Sequence, residues 1–378
     1  MRVLFVTNGH GEAAIAARIA RELPNVQTHH LALVGAGFGA GSFVDVGPQR
    51  AMPSGGLVAM GNFAAFSRDL RAGFLALLGR QIDFLRGARS RYDCIVAVGD
   101  IYALLLARFA AGPIVYVGTA KSVYVEPYGF LERRVLRGAR AIFVRDEATA
   151  ADLRAHGVEA EAPGNVIVDL LHDDGAALAW TQPLRLALLP GSREPAYGDA
   201  VLLAAVARRV AELHVGVEAA MSLAPGLDAA RFAQALRADG WVLQNESDST
   251  PFCASEPLPL RGVRGGLGVL LATATVAIGQ AGTANEAAAG CGLPVVALET
   301  PHASRGAGWY RMRQAKLLGD ALAIVPGDVE GAARAIVALL DEPARRAQMG
   351  ASGRERMGGS GGAVRIAAAI ARIAEHAA

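Results

Sequence analysis

The chain reads as an α/β protein of two Rossmann-like domains, on three observations. Short apolar runs alternate with longer helical patterns, the alternation restarts midway along the chain, and 378 residues exceed what one core usually holds. A composition that is 52 % hydrophobic, with 45 glycines and 6 % aromatic residues, suits layers packed from small side chains.

The first set of runs is RVLFVT (2–7), HLALVG (30–35), CIVAVG (94–99), IVYVG (114–118) and AIFVR (141–145). Such runs separated by helical stretches predict parallel strands joined by right-handed crossovers. The second set opens with LRLALLPG (184–191) and the helix-like PAYGDAVLLAAVARRVAEL (195–213). VEAAMS (217–222), WVLQN (241–245), TVAIGQ (275–280), VVALE (295–299) and LAIVP (322–326) continue it. The Gly, Pro and Asp-rich stretch 163–183 marks the boundary, which gives an N-terminal domain over 1–165 and a C-terminal domain over 184–340. Residues 341–378 read as two helices separated by GGSGG, the last of which can cross back to the first domain.

The charge pattern excludes several classes. Net charge is +2, only Lys121 and Lys316 are lysines, and no arginine cluster is interleaved with aromatics as single-strand binders require, so no nucleic-acid partner is expected. Cys94, Cys253 and Cys291 are odd in number and show no C-x-x-C spacing, which implies neither a disulfide framework nor a zinc site. The opening RVLFVT lacks the regions of a signal peptide, and a cytoplasmic protein is expected. The longest uncharged run, 265–285, is punctuated by Gly, Thr and Gln and reads as helix, strand and turn.

In open α/β sheets, ligands bind outside the carboxyl ends of the strands, so the loops after strands carry the chemistry. TNGHGEAA, after the first strand, places Gly9, Gly11 and Ala14 in the spacing G-x-G-x-x-A of the dinucleotide fingerprint. The second strand ends without the acidic residue that would hold a ribose, which argues against a nicotinamide cofactor. What remains is a Gly-rich loop presenting His10 and Glu12 at a helix N-terminus, where Glu12 also complements the helix dipole. Asp100, after CIVAVG, is either the N-cap of the helix IYALLLARF or a carboxylate that accepts a proton from a hydroxyl nucleophile. In LPGSREP, Gly191, Ser192 and Arg193 combine backbone N–H groups, a hydroxyl and a guanidinium, a suitable cradle for a diphosphate, though an ordinary turn with a solvated arginine has the same sequence. Thr283-x-x-Glu286, in QAGTANEAAAGCGLPVV, matches the capping box.

Taken in order, these four loops resemble the GT-B nucleotide-sugar glycosyltransferases, most closely lipid-A-disaccharide synthase and its relatives. LLPGSR and GQAGTANEAAAGCGLPVVAL carry most of the likeness. The resemblance implies a second domain that binds a UDP-sugar, with Gly282 and Thr283 at the diphosphate and Glu286 at the ribose. It also places Asp100 and Arg193 at essential positions and Gln314 in a segment that contacts the sugar. His10 is similar to the histidine of the Gly-rich loop in the peptidoglycan lipid-intermediate transferase. The first loop departs from the synthase pattern, because Gly11-Glu12-Ala13 continues as Ala14-Ile15-Ala16 without a terminal acidic residue.

The expected function is therefore an inverting, metal-independent transfer of a sugar from a UDP-sugar to a lipid-linked hydroxyl at the cytoplasmic membrane face. Asp100, His10 and Glu12 are the candidate catalytic residues, and no cofactor is expected. No D-x-D carboxylate pair occurs between the domains. A UDP-sugar 2-epimerase and a non-catalytic nucleotide-sugar-binding protein are the alternatives on the same architecture. The stretch 63–86 has apolar residues from Phe63 and Phe66 through Leu70, Phe74, Leu77, Leu78, Ile82 and Leu85 at helical spacing, flanked by arginines. Such a stripe can lie on an anionic membrane surface, although amphipathic helices usually face a core.

Overall fold

The computed structural model describes residues 1–35, 43–50, 70–171, 178–192, 194–224, 226–244, 247–280, 282–299 and 307–377. The chain divides into two compact units, Met1–Leu170 with Ser360–Ala378, and Leu171–Gly359.

Unit 1 is built on a six-stranded parallel sheet of β1 (Arg2–Thr7), β2 (Gln27–Ala32), β3 (Val44–Asp45), β4 (Cys94–Gly99), β5 (Ile114–Gly118) and β6 (Ala141–Val144), ordered β3-β2-β1-β4-β5-β6. Because alternate side chains of a strand face opposite sides, β1 feeds two cores. Leu4 and Val6 pack with α2 (Phe74–Gly87), α3 (Ile101–Ala107), α4 (Phe130–Leu136) and α5 (Glu147–Ala155). Val3 and Phe5 pack with α1 (His10–Arg21) and α6 (Val166–Asp169) on the other face.

The second strand begins three residues earlier than its apolar run suggests. Its start is polar, and within it His30 has no exposed surface and joins Thr7 Oγ1 through Nε2 at 2.9 Å and Asp45 Oδ1 through Nδ1 at 2.6 Å. This chain of bonds ties β1, β2 and β3 together where an apolar pattern is missing.

The apolar stripe of 63–86 is a core element over the part described. Phe74, Leu77 and Leu85 of α2 are buried, and the amide of buried Gln81 donates to the carbonyls of Ala32, Leu33 and Pro48. Phe63, Phe66 and Arg68 lie outside the described residues.

Unit 2 holds β7 (Leu184–Leu189), β8 (Val217–Leu223), β9 (Cys253–Ala254), β10 (Leu260–Arg264), β11 (Val276–Gly279), β12 (Val295–Glu299) and β13 (Leu322–Pro326), ordered β13-β12-β11-β7-β8-β10-β9. All neighbours are parallel except β9 and β10. Its helices are α7 (Ala196–Leu213), α8 (Ala229–Ala238), α9 (Leu267–Thr273), α10 (Thr283–Gly290), α11 (Ala307–Leu318), α12 (Val329–Asp341) and α13 (Pro343–Met357). The third parallel strand is LRGVR rather than WVLQN. Trp241 and Leu243 are buried in the core without joining the ladder, and only Gln244 forms a bridge, to Cys253.

Within 341–378, α13 packs on α10 and α12 of unit 2, whereas α14 (Gly362–Glu375) belongs to unit 1. Asp169, 3 % exposed, fixes that last helix by accepting the N–H groups of Gly361 at 2.6 Å and Ala363 at 2.7 Å. Ile366, Ala367 and Ile370 then close the core on Phe5 and Val96. Among the described residues no helix is long and apolar enough to cross a membrane.

Candidate functional site

Both sheets reverse their strand order at one place, between β1 and β4 in unit 1 and between β7 and β11 in unit 2. At such a switch point the helices after the two central strands leave on opposite faces, which opens a crevice at the carboxyl end. All four unusual loops lie at these two points: residues 8–12 after β1, Asp100 after β4, 190–193 after β7 and 280–283 after β11.

In unit 1, Gly9 is the N-cap of α1, so His10 is the first helical residue and Glu12 sits in the first turn. The His10 side chain lies outside the described residues. Asp100 is indeed the N-cap of α3, with Oδ1 accepting the Ala103 N–H at 3.2 Å. Its second oxygen takes a 2.8 Å hydrogen bond from the amide of Asn8, a residue only 4 % exposed. Asn8 carries no signal in the sequence, because a polar residue just after an apolar strand is commonplace.

Glu12 lies across the end of β4. Gly99, at φ +128°, leaves the space it occupies, since a Cβ there would stand 3.1 Å from Glu12 Cγ. Burial, and secondarily the charge of Asp100, holds the Glu12 carboxyl above the usual carboxylate range, while a backbone N–H opposes the shift. The Gly99 carbonyl is itself clamped by the Tyr116 hydroxyl at 3.0 Å and the Thr119 N–H at 3.1 Å, with the Tyr128 hydroxyl 3.3 Å behind that of Tyr116. Burial and the charge of Asp100 also push the Tyr102 phenol up to about 12. The outcome is two carboxyl groups on one rigid strand end, one anchored by a cap and an amide and the other biased toward its protonated form.

In unit 2 the capping box does not form. Gly282, not Thr283, is the N-cap of α10; no side chain caps the helix, and Thr283 is exposed as its first residue. The helix starts one residue early because the carbonyl of Gly282 already accepts the Glu286 N–H, at 3.1 Å. The turn is instead held from behind by amides. Asn285 has no exposed surface and donates to Gly279 O at 3.2 Å and to Gln314 Oε1 at 3.4 Å, and Gln314 donates to Gly282 O at 3.3 Å. Gln280 spans β11 and β12 by donating to Leu298 O at 3.1 Å.

Gly279 makes room for this arrangement, since a Cβ there would lie 1.9 Å from Asn285 Oδ1. Gln314, which the resemblance places near a sugar, is 6 % exposed and packs behind the turn; Glu286 is half-buried. Gly191, at φ +118°, and exposed Ser192 follow β7, and Arg193 lies outside the described residues.

Chemically, unit 1 offers a proton-transfer pair and unit 2 a helix N-terminus whose first N–H groups have no side-chain cap, an arrangement suited to an anion. Among the described residues no group of three or more His, Cys, Asp or Glu side chains is arranged to hold a metal ion.

No family model matches the chain, and no curated protein matches it in sequence. Solved structures do match over nearly the whole length. A protein described as a UDP-N-acetylglucosamine 2-epimerase from Listeria monocytogenes superposes with a TM-score of 0.61 at 14 % identity, covering 99 % of this chain and 97 % of that one. MurG of Acinetobacter baumannii gives 0.56 at 14 % identity over 98 % and 99 %. The spinosyn rhamnosyltransferase SpnG, solved with thymidine diphosphate, gives 0.53 at 18 % identity over 99 % and 100 %. The strand orders and these neighbours make the fold a GT-B type α/β architecture. At such identities the likeness is one of fold, and it spans both epimerases and glycosyltransferases.

Proposed function

We propose that the protein is a nucleotide-sugar enzyme and, within that class, an inverting glycosyltransferase that moves a sugar from a UDP-sugar to a lipid-linked hydroxyl. The Glu12 carboxyl carries this reading: it lies against Gly99, the residue before Asp100, at the switch point of unit 1, and burial raises its proton affinity above that of an ordinary carboxylate, the direction a general base needs. Glu12 takes the acceptor proton as the new oxygen–carbon bond forms at the anomeric carbon. The bond to the diphosphate breaks, and UDP leaves with its charge met by the N–H groups at Gly282 and Thr283 and by Arg193. Asp100, held by Asn8 and Ala103, orients the acceptor and favours the protonated product form of Glu12. His10 is the alternative base.

These anion-binding groups would serve where other transferases use a metal, so a manganese requirement would overturn that part. A peripheral contact with an anionic membrane is supported by the exposed side chains of Leu75, Arg80 and Arg86 on α2 and of Arg71 just before it. The domain assignments follow: unit 1 for the acceptor and unit 2 for the donor.

One observation favours a second reading. Epimerisation at C2 needs a group to remove a proton and one to return it on the other face, and Glu12 with Asp100 supplies two carboxyls. UDP release and sugar products from UDP-glucose and UDP-N-acetylglucosamine, measured with and without a lipid-linked acceptor, separate the two. Acceptor-dependent UDP release abolished by Glu12→Gln supports transfer; acceptor-free epimerised sugar supports epimerisation. Absence of binding to any uridine nucleotide would overturn both.

A further inference from the structure

Unit 1 has a groove of about 1070 Å³ along the outer side of α14, between that helix, the edge strand β6 and the segment 161–163. Its floor is apolar: Phe143 and Ala369 are 3 % and 8 % exposed, with Ile373 and Pro163 beside them. Its rim is basic. Four arginines line it (Arg140, Arg154, Arg365 and Arg372) against two acids, Glu147 and Glu161, which leaves an excess of two positive charges apart from His376.

The arginines are not equivalent. Arg154 is paired with Glu147 and donates to Ala160 O at 2.8 Å, and Arg365 donates to Pro163 O at 2.5 Å. Arg140 and Arg372 are exposed and make no side-chain hydrogen bond or ion pair among the described residues. Guanidinium groups without protein partners above a concave apolar floor suit a ligand with an anionic head and an apolar body. From Arg365 to Glu375 the helix runs eleven residues, about 16 Å at 1.5 Å per residue, long enough for an extended alkyl chain.

We propose that this groove binds a single-chain amphiphilic anion, with its head group at Arg140 and Arg372 and its tail along Phe143, Ala369 and Ile373. The site is separate from the carboxyl pair. Pro113 and Arg140, which line it, precede β5 and β6, whereas Asn8 and Asp100 follow the carboxyl ends of β1 and β4, with Glu12 of α1 against Gly99. Its occupancy therefore does not depend on the proposed transfer reaction.

The test is calorimetric titration of the full chain with dodecyl phosphate below its micelle concentration, beside inorganic phosphate and dodecyl maltoside. Saturable binding of dodecyl phosphate alone is expected. The double variant Arg140→Glu/Arg372→Glu should bind at least tenfold more weakly at unchanged Tm. Ala368→Trp, at an exposed groove position, should weaken binding comparably by filling the groove. Equal affinity in both variants, no saturable binding, equal binding of dodecyl maltoside, or equal binding of phosphate without a tail would each overturn the assignment.

Discussion

The side-chain amide of Asn8 donates to Oδ2 of Asp100 at 2.8 Å, joining the ends of two adjacent strands across 92 positions of sequence. One bond thus fixes the carboxylate that N-caps α3 and whose charge reaches Glu12. Asn8→Ala leaves that oxygen without its donor and should cost about 1–3 kcal/mol in chemical denaturation, the range for an orphaned, partly buried acceptor. Asn8→Asp should cost more at neutral pH than at pH 4, because it adds a third carboxylate whose repulsion disappears on protonation. An Asn8→Asp cost, relative to the parent chain, that is equal at both pH values would show that the three groups do not interact.

Glu12 gives a pH dependence with a definite sign. Its folded pKa lies above the ordinary 4.5, so between 4.5 and the folded value the native state binds more protons than the unfolded one, and stability falls as pH rises. Above the folded value the cost is constant; well below 4.5 it is absent. Glu12→Gln should therefore be more stable than the parent chain at pH 7 and comparable to it near pH 3, while losing turnover by about 100-fold or more if Glu12 is the base. A variant that loses stability at pH 7 would count against burial as the cause of the shift.

Gly279 and Asn285 can be tested as a pair. Gly279→Ala drives a methyl into the Asn285 amide and should cost about 1–3 kcal/mol through overpacking. Asn285→Ala removes the obstacle, so the double variant should be less destabilised than the sum of the singles by at least about 0.5 kcal/mol. Additive losses in thermal denaturation would mean that the two do not meet.

Thr283 separates a structural from a binding role. Since Gly282 is the N-cap and no side-chain cap bond exists, Thr283→Ala should change stability by less than about 0.5 kcal/mol, the usual range for an exposed position. Under the proposed function Thr283→Ala, which keeps the backbone N–H, should retain the thermal stabilisation given by UDP, whereas Thr283→Asp, which sets a like charge against the diphosphate, should reduce it. Undiminished stabilisation in Thr283→Asp would move the diphosphate site elsewhere.

Much of the architecture is legible from local pattern. Strands such as CIVAVG and VVALE are buried on both faces in a parallel sheet, so they appear as continuous apolar runs that stand out from the helices around them. The loops at the switch points are also local, because a strand followed by a Gly-rich turn and a helix is written in consecutive residues. The misplaced strand has a clear cause. WVLQN has the composition of a strand but no place in the ladder, while LRGVR, with two arginines, takes that place beside β8. Strand pairing is a non-local choice, and a short run does not encode its partner.

The sequence by itself determined the two-domain α/β class and where the Gly-rich loops after strands fall, since each depends on spacing within one segment; it allowed the last helix to cross back, and the packing on unit 1 decided it. Only the tertiary structure decided how those loops are built. It joined Asn8 to Asp100, laid Glu12 across Gly99, turned the Thr283–Glu286 capping box into a helix capped by Gly282, and set Asn285 and Gln314 behind that turn. The physical reason is that a carboxyl's proton affinity and an amide's partners depend on what lies within a few ångströms. Those neighbours come from strands and helices far apart in the chain.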